Sequence, residues 1–284
     1  MSSTLGTPST QAPRPAAPRA AGDGRAPHPR RWRWVAHAGA LLFAVLLLYP
    51  FSGVWAPVGA WQWSGTAGAA SRASILVSLE LTALAMLLVV AVGTPVALYI
   101  RRTGRAARTW WEAALLASIL VPSLALGILL SLAFRPEGAL GGWLAQLGLV
   151  STNSAAAFVL TQVYVSIGYY VLGALVALGA IPAGLEQHAA LLGLGPVRVF
   201  WRVTLPLARF GLAAALSLAW VRAIGEFGAV VVTAYYPAGM PVQLWIHLES
   251  AGLGAVMPLL VAFMAAALPL PLLLHLLAHR RRHA

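Results

Sequence analysis

Residues 185–206 read LEQHAALLGLGPVRVFWRVTLP, and they separate two long apolar runs of the chain. The segment holds three charged residues, Glu186, Arg198 and Arg202, in a part of the chain that has few others. Glycines and prolines interrupt it at short intervals, which marks turns rather than one continuous helix. The segment is therefore expected to connect the two apolar runs without being part of either.

The prolines and glycines of this segment predict its local geometry. Pro182 and Pro196 are each placed to begin a short helix, because proline lacks an N–H that the first helical turn leaves unpaired anyway. Gly193 lies between them, where a reversal of the chain requires a positive φ. We therefore predict two short helices set at an angle, over residues 185–192 and 197–205.

The composition places the chain in a membrane. Of its 284 residues, 60% are hydrophobic and 9% are charged, and the mean hydropathy is +0.80. In soluble globular domains about a quarter of the residues are charged. The formal net charge of +12 does not indicate nucleic-acid binding, because the arginines collect in short segments between apolar runs.

Six apolar runs reach the length of about 20 residues that a membrane-spanning helix requires. They cover residues 35–54, 74–100, 113–134, 155–181, 207–232 and 253–277. The sequence thus predicts an all-α membrane protein with six transmembrane helices, in which residues 74–277 form one domain of five core helices. Residues 1–34 have little to bury and are predicted to be a disordered tail.

The distribution of arginines predicts the orientation. Sixteen of them lie before the first run, between the second and third, between the fourth and fifth or at the very start of the fifth, and after the sixth, whereas two lie in the alternate segments. Arginine-rich segments remain on the cytoplasmic side of a membrane. Both termini and residues 182–206 are therefore expected in the cytoplasm, in a multi-pass protein of the cell membrane.

The chain contains neither lysine nor cysteine. A phosphate-binding loop of the Walker A type needs a lysine, and thiolate nucleophiles and cysteine-ligated metals need cysteine. His275, His279 and His283 are spaced to share a helical face, but three arginines beside them disfavour a bound cation. The sequence predicts a chain that is not an enzyme and has no metal site, so that any ATP must be bound by another chain.

Three ionisable residues stand out inside apolar runs, away from the ends of those runs: Glu80, Arg222 and Glu226. A charge there costs about 2.5–3.5 kcal/mol on insertion scales, so such residues are usually paired or functional. Arg222 and Glu226 are four residues apart on one helical face, and Arg222 is also close enough in depth to pair with Glu80. Two interpretations remain open, a pair that holds the fifth helix against the second, or the lining of a path for a charged solute.

Polar residues of the fourth apolar run leave a similar choice open. Helix–helix hydrogen bonds and a pore lining fit them equally well. These residues are Thr161, Gln162, Tyr164, Ser166 and Tyr169.

The segment between the fourth and fifth runs resembles the signature loop of the membrane subunits of type I ATP-binding-cassette (ABC) importers. That signature is Glu-Ala-Ala, three residues and Gly, followed at a fixed spacing by an aliphatic residue, one further residue and Leu-Pro. The residues that match it are Ala189, Gly193, Val203, Leu205 and Pro206. Gln187 and His188 replace the Glu and the first Ala, and Glu186 lies one residue early.

In that family the loop forms coupling helices that dock into a groove of a cytoplasmic ATPase subunit. The resemblance therefore implies that residues 182–206 form an ATPase-coupling loop. The residues implied for it are Glu186, Gln187, His188, Ala189, Gly193, Leu194, Arg198, Leu205 and Pro206. Among these, Glu186 and the backbone around Gly193 are expected to carry the contact.

Residues 222–237, RAIGEFGAVVVTAYYP, are similar to the corresponding stretch of permeases for molybdate and tungstate, and their Gly-Glu-Phe-Gly core also occurs in sulfate permeases. This resemblance implies a homodimer that binds two ATPase subunits, which hold ATP and Mg²⁺, and an extracytoplasmic oxyanion-binding protein. The candidates for the translocation path are Glu80, Arg222, Glu226, Phe227 and Gly228. The alternatives are a sulfate or thiosulfate permease and, in other classes, a secondary transporter or an intramembrane enzyme acting alone.

Overall fold

The structure is a computed structural model that describes residues 30–55, 61–148, 152–268 and 271–272, and every regular element within them is a helix. The chain divides into two units, Met1–Ala56 and Pro57–Ala284. The first unit contains α1 (Arg30–Leu48), which continues as a 3₁₀ helix (Tyr49–Trp55) where Pro50 interrupts the α-helical pattern. Residues 1–29 of the predicted disordered tail lie outside the described residues, whereas residues 30–34, which were assigned to the same tail, form the start of α1.

The second unit contains the remaining helices. In chain order they are α2 (Gly65–Arg102), α3 (Arg105–Leu120), α4 (Ser123–Ala133), α5 (Ala139–Gln146), α6 (Ala155–Gly179), α7 (Ala183–Leu191), α8 (Pro196–Val199), α9 (Leu205–Ile224), α10 (Gly228–Thr233), α11 (Met240–Ser250) and α12 (Leu253–Ala267).

The core of this unit is formed by α2, α6 and α9, with α6 packed against both of the others. Small residues allow this close approach. A Cβ atom added to Gly173 of α6 would lie 2.6 Å from the Cβ of Ala215, and one added to Gly211 of α9 would lie 2.5 Å from the Cβ of Ala177. Inside lipid the hydrophobic effect does not drive helices together, so close van der Waals packing of this kind holds them in contact.

The third predicted span, residues 113–134, is not one helix. It is divided between α3 and α4, whose axes are bent by 104°. The break falls at Val121 and Pro122, where Val121 has extended dihedral angles of −63° and 126°. A proline disfavours the α conformation in the residue before it and cannot donate the next helical hydrogen bond.

The second predicted short helix, residues 197–205, is not a separate helix but the beginning of the fifth span. Residues Pro196–Ile224 form one helix that contains a π-helical turn, Phe200–Thr204. The N–H of Leu205 donates to the carbonyl of Phe200, five residues earlier. Pro206 explains the turn, because its ring would clash with the carbonyl four residues before it in a regular α-helix.

The fifth span also ends earlier than the predicted residue 232. Helix α9 stops at Ile224, the chain leaves the helical path at residues 225–227, and α10 follows as a separate short helix packed on α4. The second predicted span, in contrast, is longer than expected. It begins at Gly65 instead of residue 74, and α11 packs against this additional part.

Within the described residues, four helices are long and apolar enough to cross a membrane, or five if the bent pair α3–α4 counts as one span. The sixth predicted span, residues 253–277, is seen as α12, and most of its later residues lie outside the described part. The all-α membrane architecture is confirmed. The count of six spans and the cytoplasmic position of both termini stay predictions.

Candidate functional site

The connection between α6 and α9 forms a helical hairpin of α7 and α8, whose turn requires glycine. Helix α7 ends in a Schellman motif, in which the N–H of Gly193 donates to the carbonyl of Ala190 and the N–H of Leu194 donates to that of Ala189. Gly193 has a φ of +82°, a conformation that L side chains rarely adopt. The predicted role of Gly193 as the turning point is therefore present in the structure.

The tip of this hairpin exposes apolar side chains. Leu191 is 84% and Leu192 is 83% exposed, and the two adjacent side chains form an apolar tip. Neither residue was singled out from the sequence, although two adjacent leucines before a helix-ending glycine were a usable signal. Among the predicted coupling residues, Gln187, His188, Arg198 and Pro206 are also exposed, Leu194 and Leu205 are partly buried, and Ala189 is buried.

The carboxylate of Glu186 is bonded to two other segments of the chain. Its Oε1 atom accepts a hydrogen bond from Nη1 of Arg101, at 2.9 Å, and another from Oγ1 of Thr204, at 2.7 Å. Partial burial raises the pKa of the carboxyl, but the bonds from Thr204 and Arg101 and the charges of Arg101 and Arg102 outweigh it and hold the pKa below its usual value. Glu186 also lines the groove beside α7, so its contact with an ATPase stays a prediction, while its Oε1 is engaged within the chain.

A groove lies beside α7, between the end of α2 and the π-helical turn. Its volume is about 670 Å³, and Leu98, Arg102, Gln187 and Trp201 are among its lining residues. Trp201 is 63% exposed and stands edge-on to the ring of Phe200. The groove and the leucine tip together make this end of the molecule an apolar, arginine-rimmed surface suited to a protein partner.

At the opposite end of α9, Arg222 and Glu226 form an ion pair. Glu226 is 3% exposed, and its second oxygen accepts a hydrogen bond from the N–H of Ala229 at 2.7 Å, which caps α10. The Arg222 guanidinium is partly exposed and lies 6.0 Å from the ring of Tyr169. The pair therefore stabilises the break between α9 and α10 and leaves one face of the arginine accessible.

Close packing surrounds this break. A Cβ atom added to Gly228 would lie 2.6 Å from Oγ of Ser123, at the start of α4. Phe227 packs against Trp245 of α11, with ring centroids 5.9 Å apart. The breaks that interrupt the third and fifth predicted spans thus meet each other, which the sequence did not indicate.

Glu80 does not join this cluster. It is exposed, and it makes none of the ion pairs found in the described part of the chain. Along α2, Glu80 lies 21 residues from Arg101, which corresponds to about 32 Å. Glu80 and Arg101 are therefore separated by about the full hydrocarbon thickness of a membrane, which is about 30 Å. The hypothesis that Glu80 pairs with Arg222 across two helices is wrong, because the buried face of α2 is the opposite one.

The polar residues of α6 divide into two groups. Thr161, Gln162 and Ser166 are buried and make helix–helix or backbone hydrogen bonds, including a bond of 2.8 Å between the hydroxyls of Thr161 and Thr233. Tyr164 is exposed, and Tyr169 faces Arg222. Of the two interpretations that the sequence left open, helix association applies to the first group.

The family model described as binding-protein-dependent transport system inner membrane component matches residues 90–283. A probable molybdenum ABC transporter permease of Haloferax volcanii is 35% identical over 88% of this chain and 91% of its own length. The molybdate/tungstate transport system permease WtpB of Pyrococcus furiosus is 28% identical over 74% of this chain and 80% of its own.

Solved structures share the fold at low sequence identity. A chain of a bacterial alginate ABC transporter, in complex with an alginate pentasaccharide-bound periplasmic protein, superposes with a TM-score of 0.67 at 16% identity, over 88% of this chain and 95% of that one. A chain of an amino acid ABC transporter gives a TM-score of 0.55 at 18% identity, over 75% and 94%. The helical hairpin, the broken third and fifth spans and these matches lead to one conclusion: the chain belongs to the family of binding-protein-dependent transport system inner membrane components, the membrane-embedded permease subunits of ABC importers.

Proposed function

We propose that this chain is the permease subunit of an ATP-driven importer of molybdate or tungstate, in which two copies form the translocation path. The observation that carries the proposal is the 35% identity to a molybdenum ABC transporter permease over nearly the whole of both chains. Two cytoplasmic ATPase subunits, which bind ATP and Mg²⁺, and an extracytoplasmic oxyanion-binding protein complete the transporter. This chain has no cofactor of its own in the proposal.

The exposed tip of the α7–α8 hairpin supports coupling to an ATPase. Leu191 and Leu192 present apolar surface at the end of a short, rigid helix, and Gln187, His188 and Arg198 surround it with polar groups. An apolar centre with a polar rim is the usual composition of a protein interface. The absence of lysine from the chain agrees with an ATP site on the partner.

The continuous helix Pro196–Ile224 supports a mechanical link between the two ends of the molecule. Thr204, next to the hairpin, and Arg222, next to the break before α10, are 18 residues apart, which corresponds to about 27 Å. A displacement of the hairpin would therefore move the region of Arg222 without an intervening loop. We assign the hairpin to the cytoplasmic side and Arg222 to the translocation path.

Arg222 has the properties that a transient anion contact needs. Its guanidinium is partly exposed, while Glu226 is buried on its protein side and balances part of its charge. A residue on a transport path must attract the ion and then release it, so a partly neutralised arginine suits the task better than a free one. Phe227, Gly228 and Glu80 remain candidates for lining the same path. Gly228 packs closely on Ser123, and this contact keeps α10 near the start of α4.

The experiment that tests the proposal is reconstitution of the chain with its ATPase and binding protein in liposomes. We expect co-purification with the ATPase, and ATP hydrolysis and uptake that depend on molybdate or tungstate loaded on the binding protein. Stimulation by sulfate alone would contradict the substrate. A chain that retains no ATPase and transports by itself would contradict the class.

A further inference from the structure

The carboxylate of Glu186 connects three helical segments at one point. Glu186 belongs to α7, Arg101 is at the end of α2, and Thr204 closes the π-helical turn before α9. A single oxygen, Oε1, accepts both hydrogen bonds, at 2.9 and 2.7 Å. Hydrogen bonds to an ionised acceptor are roughly twice as strong as bonds between neutral groups. The Glu186 carboxylate therefore links the three segments by strong bonds.

The junction is sheltered compared with an ordinary surface ion pair. The side chains of Arg101 and Glu186 are 18% and 26% exposed, whereas those of Arg108 and Glu112 on α3 are 44% and 35% exposed. Exposed pairs of the second kind contribute little because solvent screens them. The exposed pair Arg108–Glu112 therefore serves as a control for the sheltered pair Arg101–Glu186, because both join an arginine to a glutamate.

Helix α7 otherwise rests on α8 and the π-helical turn, and its buried residue Ala189 faces the protein. The Glu186 side chain bonds α7 to Arg101 at the end of α2. The π-helical turn is itself a weak place in the helix, since Pro206 removes a hydrogen bond there. Loss of the Glu186 carboxylate would therefore remove the hydrogen bonds that link α7 to α2 and to the π-helical turn, and leave the apolar packing of α9 on α2.

A second bridge joins the same two long helices further along. Nε2 of Gln162 donates to Oγ1 of Thr82 on α2 and to the carbonyl of Ala223 on α9. Thr82 is 19 residues from Arg101, and Ala223 is 19 residues from Thr204, so the two bridges are about 28 Å apart along each helix. Two bridges at matching positions restrain α2 and α9 from sliding or splaying independently.

We infer that Glu186 is a positioning residue that binds α7, α2 and α9 into one rigid body, so that movement of the hairpin by an ATPase is passed to both long helices together. The inference rests on the proposed function. It assigns Glu186 a task inside this chain, in place of the contact with the ATPase that the sequence suggested.

The test uses the complete transporter in liposomes, with Glu186→Gln and the matched control Glu112→Gln. We expect Glu186→Gln to retain the ATPase on co-purification but to lower the ratio of transported oxyanion to hydrolysed ATP by about tenfold, as expected when a charge-assisted bond is weakened. Glu112→Gln should keep the wild-type ratio. The exchanged pair Glu186→Arg with Arg101→Glu should return the ratio to within about threefold of wild type, because it restores the bridge.

A distance measurement separates rigid linkage from simple stability. The chain has no cysteine. Spin labels at Leu185→Cys, an exposed position of α7 away from the leucine tip, and at Tyr99→Cys report the separation of α7 and α2 when each transporter holds one labelled copy and its partner subunits lack cysteine. We expect one narrow distance that does not change on addition of ATP, and a broad distribution once Glu186→Gln is added.

Three results would overturn the inference. Loss of the ATPase from Glu186→Gln would make Glu186 a docking contact. An unchanged ratio of transported oxyanion to hydrolysed ATP in Glu186→Gln would show that the Glu186 bonds do not contribute to coupling. An ATP-dependent label distance in the chain that retains Glu186 would show that α7 moves relative to α2. Failure of the wild-type chain to retain any ATPase would instead contradict the proposed function, and the inference with it.

Discussion

The side-chain amide nitrogen of Gln162 lies 3.0 Å from Oγ1 of Thr82, in the buried interface between α6 and α2. The same nitrogen donates to the carbonyl oxygen of Ala223 at 3.1 Å, so one side chain joins three helices. Gln162 is 1% exposed, and its Oε1 has no hydrogen-bond partner within the described part of the chain. The helices are thus held together by donated bonds from a residue that is itself only partly satisfied.

Gln162→Leu should lower the stability of the detergent-solubilised protein by about 1–2 kcal/mol, because interhelical hydrogen bonds contribute about 0.6 and at most about 1.7 kcal/mol each and two are lost. Loss of the unpaired Oε1 partly offsets this cost. Thermal unfolding measures the effect, and Gln146→Leu, at an exposed position of α5, is the control. Equal midpoints for the two variants would contradict the bridging role.

Gly127→Ala should separate α4 from α10. An added Cβ would lie 2.9 Å from both Cα and the carbonyl oxygen of Ala229, and these backbone atoms cannot rotate away. Such overpacking costs about 1–3 kcal/mol. Gly179→Ala adds the same methyl group where nothing lies within 4 Å and should be neutral or slightly stabilising. The comparison of their thermal midpoints is the measurement, and a stable Gly127→Ala protein would argue against this packing.

Arg222 and Glu226 should show strong energetic coupling. Removal of one partner of a buried pair costs about 3–5 kcal/mol, since it leaves the other charge without compensation. Arg222→Met, which strands the buried Glu226, should therefore destabilise the protein more than the double variant Arg222→Met with Glu226→Gln. Denaturation of the two single variants and the double variant completes the cycle. Additive losses would mean that the two side chains act independently.

Gly193→Ala should disturb the hairpin, whereas Gly195→Ala should not. The φ of Gly193 is +82°, and a left-handed residue with a Cβ atom costs about 1–2 kcal/mol. Gly195 has a φ of −66° and no atoms within 4 Å of an added Cβ. In the reconstituted transporter we expect about fivefold less transport per ATP from Gly193→Ala, the effect of ~1 kcal/mol. The exposed change Gln187→Ala should have a smaller effect, and the reverse order would refute the role of the turn.

The stability of the second unit should depend on pH through His247 of α11, a helix that is not among the candidate membrane spans. Burial lowers the pKa of this imidazole, against an opposing hydrogen bond to the carbonyl of Ala67. Its Nε2 lies 3.0 Å from Oγ of Ser71. Because the folded state resists protonation, the contribution of His247 is complete above a pH of about 6.5 and is lost as the pH falls through the folded pKa.

Thermal midpoints measured between pH 8 and pH 5, about 1.5 units either side of the usual histidine pKa, should therefore fall on the acid side. His247→Gln should reduce that dependence, while His188→Gln, at an exposed position of α7, should retain it. An unchanged slope in the His247 variant would place the acid sensitivity elsewhere.

Much of the fold could be predicted from the sequence because the signals are local. The length of the apolar runs located the spanning regions, the arginines suggested an orientation, and Gly193 marked a turn that needs a positive φ. Pro122 and Pro206 were visible as well. Their consequences, a bend of 104° in one span and a π-helical turn inside another, depend on whether neighbouring elements leave room for a bend.

By itself, then, the sequence determined that the chain is an all-helical membrane protein with a projecting loop between its fourth and fifth apolar runs and no lysine for an ATP site of its own. Only the tertiary structure decided that Arg222 pairs with Glu226 and not Glu80, and that Glu186 binds Arg101 inside the chain. The physical reason is that the partner of a charge depends on the rotation and end points of each helix. Packing among α2, α6 and α9 sets these, and no local pattern of residues does.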